Sequence, residues 1–223
     1  MRRSSQTLLI LGFTAVFIGY LSVWLRGPGA GLSFLGLEMG EWFKFLGLGS
    51  RRDLFYLPPI TLGLMLAIWT MTWPARESDA GFDWRAWIVR GLAVLVSLLA
   101  FPAIEDISGP VREQYVLRVV LIGLVIVVAL LSGFWRPKGA WRTLPWIALA
   151  VLGVLGAALP AWMFLQVQPF LSDILGVLVS AGIGFWLNVV GNTVVAATSL
   201  FQLATINRAA PAANDAKKGA ASL

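Results

Sequence analysis

Residues 176–192 read GVLVSAGIGFWLNVVGN, an apolar run in which every fourth position, Gly176, Ser180, Gly184, Asn188 and Asn192, is small or carries a carboxamide. No charged residue occurs anywhere in 174–203. Crossing about 30 Å of hydrocarbon takes roughly 20 mainly apolar residues, so this segment reads as a transmembrane helix. At 1.5 Å per residue it would extend about 45 Å, and it must tilt, bend near Gly191 or project from the bilayer. Five further apolar stretches of similar character lie at 7–25, 54–73, 87–104, 115–135 and 146–167.

These six segments take up most of the 223 residues, 58% of which are hydrophobic and only 13% charged, with a mean hydropathy of +0.81. The expected fold is all-α: a polytopic integral membrane protein with a six-helix transmembrane bundle over residues 1–204. The Ala-rich polar stretch 205–223 has no apolar period and is expected to form a disordered cytoplasmic tail. The first segment, preceded by MRRSSQ, is near full membrane length with no A-x-A pattern before Arg26, which reads as an uncleaved signal anchor.

A small residue at every fourth position lets helix backbones approach closely, and Asn carboxamides in hydrocarbon seek hydrogen bonds across helices. The ridge at 176, 180, 184, 188 and 192 is therefore expected to pack, inside the bundle or against a partner subunit. The alternative is a solute pathway lined by Gln166, Asn188, Asn192, Thr193 and Gln202. Pro160 falls inside the fifth segment, where it removes an amide hydrogen and frees a carbonyl for a neighbouring helix or a ligand.

The net charge of +6 follows from Lys and Arg flanking the spans and does not suggest a nucleic-acid partner. With the N-terminus inside, Arg2, Arg3, Arg76, Arg85, Arg90, Arg136, Lys138, Arg142, Arg208, Lys217 and Lys218 fall in the cytoplasm. Arg26, Lys44, Arg51, Arg52, Arg112 and Arg118 fall outside, a ratio of 11 to 6. That asymmetry predicts the cell membrane with both termini cytoplasmic. Tryptophans including Trp24, Trp42 and Trp73 fall at or beside the segment ends, where headgroups favour amphipathic rings.

Two outer loops carry patterns. Glu38, Glu41 and Lys44 recur at a spacing of three among Met39, Trp42 and Phe43, which suits an external interfacial helix, weakened by Gly36, Gly40, Gly47 and Gly49, whose apolar face lies on the membrane or caps the bundle from outside. In the connection between the third and fourth segments, Glu105 and Asp106 face Arg112 and Arg118 across a short turn. This reads as a charged clasp holding a helical hairpin, or as the mouth of a pathway. Asp79 and Asp83 read as a solvated loop ending in a helix cap.

The chain has no His and no Cys, so imidazole and thiolate ligands for haem, iron–sulfur clusters, copper or zinc are missing, as are His bases and Cys nucleophiles. No cofactor or metal site, catalytic motif or G-x-x-x-x-G-K-[ST] loop is legible. The expectation is a non-enzymatic structural or accessory subunit, partnered by membrane lipids and by other integral membrane subunits or further copies of itself. The alternative is a permease or substrate-binding component for a neutral or amphipathic solute.

Overall fold

The computed structural model describes residues 3–28, 33–46, 49–73, 83–109, 112–135 and 137–220. Eight α-helices and three short strands follow in the order α1 (Arg3–Leu21), β1 (Val23–Arg26), β2 (Ser33–Leu35), α2 (Gly36–Trp42), α3 (Leu57–Trp69), α4 (Trp84–Ser97), α5 (Ile104–Ser108), α6 (Val116–Phe134), α7 (Leu144–Leu175), β3 (Ser180–Ala181) and α8 (Ile183–Ala220). Tight 3-10 turns lead into several helices, among them Gly49–Tyr56 before α3 and Arg112–Tyr115 before α6.

Five helical stretches among the described residues are long and apolar enough to cross a membrane: Arg3–Leu21, Arg51–Thr72, Arg112–Phe134, Trp141–Leu175 and Ile183–Arg208. The expected third span falls short of that length. Continued by its 3-10 turn to Ala100, α4 measures only about 25 Å.

Contacts fix the direction of each helix. Arg90 of α4 bonds Thr70 at the end of α3, while Ala100 packs with Tyr56 and Ile60 at its start, so α4 runs back along α3. Arg118 near the start of α6 lies over the Tyr56 ring and Ser132 near its end meets Arg90, so α6 reverses direction again. Trp146 and Leu149 of α7 share a core with Leu9, Trp69 and Val195, whereas Met163, Phe164 and Leu171 join Trp24, Met39, Phe55 and Phe185 at the opposite end. One end of the bundle therefore holds Arg3 of α1 and the stretch of α8 around Leu203 and Ile206; the other carries α2, α5 and the sheet. We call these the terminal end and the cap end.

The strongest correction concerns the ridge. The predicted helix at 174–203 is interrupted: α7 stops at Leu175, and Gly176, at φ +63°, caps it in a left-handed conformation suited to glycine. The chain then runs extended, and Ser180–Ala181 pairs antiparallel with β1, Leu25 opposite Ala181, in a sheet of order β2-β1-β3. The β-branched Val177 and Val179 beside Gly182 suit this extended passage better than a helix. Likewise the first segment is helical only to Leu21, and Trp24, expected at the headgroups, lies buried in β1 with its indole N–H donating to the Gly19 carbonyl at 2.8 Å.

At the other extreme, α8 continues as helix through Ala220, where a disordered tail is expected; AANDAKKGAA is rich in the helix formers Ala and Lys. The seven-residue α2 packs Met39 into the core beneath it and leaves Leu37 and Trp42 exposed on its outer side. Asp83 caps α4 as expected, accepting from the Arg85 amide at 3.1 Å, while Asp79 lies outside the described residues.

Candidate functional site

The lower half of the ridge is buried where α8 is gripped between α1 and α7. A Cβ on Gly184 would stand 2.5 Å from the Gly19 carbonyl oxygen, and one on Gly191 2.7 Å from that of Gly12. These glycines let two backbones touch. On the other side, the Asn188 amide donates to the Gly156 carbonyl at 3.1 Å. Gly156 is four residues before Pro160, so its carbonyl is the one that proline deprives of a helical donor. Asn188 replaces that donor from the neighbouring helix. Asn192 in turn donates to the backbone and side-chain oxygens of Asn188 at 3.0 and 3.1 Å, and both carboxamides are fully buried.

The other predicted residues do not converge with this knot. Gly176 and Ser180 are exposed in the α7–α8 connection, and Gln166 and Thr193 are exposed on their helices, the Thr193 hydroxyl bonding to the Val189 carbonyl. Gln202 is buried farther along α8. Gly184 and Asn188 face their own chain, while Gln166 and Thr193 stand on exposed faces of α7 and α8.

The charged clasp is redistributed. Glu105 and Arg112 are exposed, and Asp106 pairs with Lys44 at 3.2 Å. The Lys44 ammonium is held above its ordinary pKa by the neighbouring Tyr115 hydroxyl first, then by Asp106. Arg118, by contrast, turns inward and is 1% exposed. The physical reason lies in its position: two residues into α6, facing the 3-10 turn before α3, it reaches acids presented by the cap and leaves those of its own hairpin.

At the cap end this produces the densest polar site. The Arg118 guanidinium stacks 3.7 Å over the Tyr56 ring, with Tyr115 at 5.0 Å. Its amino groups lie 3.5 Å from Asp53 and 3.9 Å from Glu41, and Tyr56 donates its hydroxyl to Glu41. Arg52 stands 5.1 Å over the Tyr115 ring. Local sequence explains the assembly: Gly40 on α2 has no Cβ, which leaves room for the Tyr56 ring, and Pro58 and Pro59 start α3 directly after Tyr56.

Two guanidinium groups balance two carboxylates, so neither a lone cation nor a lone anion suits the site. Arg118 has no hydrogen bond from any of its nitrogens among the described residues, and neither has either Asp53 oxygen or the buried Tyr20 hydroxyl. Such unmet donors and acceptors suit ordered water or a neutral polar solute. Glu41, its side chain half exposed, links this buried group to the surroundings.

Sequence reasoning found Arg118 but missed Glu41, Asp53, Tyr56 and Tyr20 as its company. The one available signal was the density of charge and tyrosine in SRRDLFY immediately before an apolar span. No protein-family model, no curated protein and no solved structure matches this chain.

Proposed function

We propose that the chain is a non-enzymatic protein of the cell membrane that crosses six times, with both termini cytoplasmic, and serves as a structural or accessory subunit of a larger membrane assembly. The short α4 makes the sixth crossing in this reading, supported by its antiparallel course between α3 and α6. Exposed Arg3, Arg85, Arg142 and Arg208 gather toward the terminal end, as cytoplasmic retention requires.

The observation that carries the subunit role is how the interior polar groups are used: Asn188 ties α8 to α7, Asn192 donates to Asn188 along α8, and Arg90 ties α4 to Thr70 and Ser132. Partner contact then falls on outward surfaces such as the cap, where Trp42 and Ile104 are 54% and 79% exposed. Native mass spectrometry of the tagged chain, gently extracted from its own membrane, tests this. Reproducible protein partners released by Trp42→Glu or Ile104→Glu support the subunit role; a chain without partners sinks it.

A second reading, a permease or binding component for a neutral polar solute, is favoured by the balanced charges and unmet hydrogen-bonding groups around Arg118. Solute uptake unchanged by Asp53→Asn would remove it.

A further inference from the structure

A groove of about 260 Å³ runs between α1 and α4, floored by Leu62, Leu66 and Trp69 of α3. It opens sideways within the apolar girth of the bundle. Its lining is apolar apart from the Thr14 hydroxyl and the Trp69 indole N–H, which suits a hydrocarbon chain.

Both walls end in an arginine on the same stripe. Along α4, Val89, Leu92 and Val96 line the groove, and Arg85 precedes them at helical spacing, about 6 Å before Val89. Along α1, Ile10, Thr14 and Phe17 line it, and Arg3 sits seven positions, about 10 Å, before Ile10. Both arginines are exposed, and both stand at the terminal end. Trp69 lines the groove toward this same end; it is 7% exposed, and its indole N–H has no acceptor among the described residues.

An apolar slot, a buried donor at its end and two cations beyond follow the order of an anionic phospholipid: chain, ester, phosphate. We infer that the groove binds one anionic phospholipid of the cytoplasmic leaflet, an acyl chain over Leu62 and Leu66, an ester oxygen accepting from Trp69, and the phosphate between Arg3 and Arg85. The site rests on the six-crossing orientation proposed above and is independent of the subunit role. Anionic lipids concentrate in that leaflet, where each basic side chain near the surface adds about 1 kcal/mol of attraction.

The test is native mass spectrometry of the full chain titrated with phosphatidylglycerol or phosphatidylcholine. One phosphatidylglycerol should be retained in preference, Arg85→Gln should weaken it about fivefold without altering phosphatidylcholine, and Val96→Trp should remove it. As a check independent of variant folding, phosphatidylglycerol with a photoactivatable acyl chain should label α1 and α4 of the wild type more heavily than the outward face of α6. Equal retention of the two lipids, even labelling of α1, α4 and α6, or a second copy of the chain lost with Val96→Trp would each overturn the site. Lipid binding lost with partner proteins retained would leave the subunit reading standing.

Discussion

Two buried arginines stand at opposite ends of the bundle and are satisfied in opposite ways. Arg90, at the terminal end, bonds neutral oxygens at short range: the Ser132 hydroxyl and carbonyl at 2.9 Å each and the Thr70 hydroxyl at 3.1 Å. Arg118, at the cap end, meets carboxylates at 3.5 and 3.9 Å and two tyrosine faces. Directed hydrogen bonds from α3 and α6 hold Arg90 in one geometry, making it a lock between three helices. Charge and stacking hold Arg118 without a hydrogen bond among the described residues, making its end the one with unmet polar groups.

That contrast breaks most visibly at Arg118. Arg118→Ala should destabilise the protein by about 3–5 kcal/mol in detergent unfolding, because buried Asp53 loses its ion-pair partner and Arg52 alone is left to balance two carboxylates. Combining Arg118→Met with Asp53→Leu should restore much of the loss, and a loss below about 1 kcal/mol for Arg118→Ala would show that the pair is better solvated than its burial indicates. Next in size, Arg90→Met should cost about 1.5–3 kcal/mol, the range for hydrogen bonds to a charged group, and the loss should not change with added salt. Equal salt sensitivity at the two arginines would erase the distinction drawn between them.

Between the two ends, Asn188→Leu should cost about 0.6–2 kcal/mol. Its cost should shrink in a Pro160→Ala background, where the Gly156 carbonyl regains a donor from its own helix; a double-mutant cycle with no coupling would refute the repair of that carbonyl by Asn188. Smallest of all, Lys44→Ala should change stability by at most about 1 kcal/mol, vanishing at high salt, as for an exposed ion pair. The same unfolding curves repeated in added salt would reveal a larger role for the Lys44–Asp106 pair.

What was legible in the sequence tracks how local the cause is. Long apolar runs set the spans at 54–73 and 115–135 to within three residues, and Pro160 announced a freed carbonyl because the effect of proline is confined to its own turn. The four-residue spacing of the ridge misled, since it runs unbroken across Gly176 and Gly182 while the chain leaves one helix, pairs as a strand and starts another. Pairing with β1 settles that segment, and β1 is over 150 residues away. Arg118 was legible as a charged residue at a span end, but its partners come from α2 and from the 3-10 turn before α3, more than 60 residues earlier, and the nearer Glu105 and Asp106 offered a plausible hairpin in their place.

The antiparallel seam between α1 and α8 has a consequence for biosynthesis. Gly12 is made 179 residues before Gly191, its neighbour across that seam. At about 5–20 residues per second, roughly ten to forty seconds pass between the emergence of the two. Throughout that interval the glycine-lined face of α1 lacks the helix that covers it in the finished bundle. The bundle closes last where it began first, because the seam joins the first helix to the last.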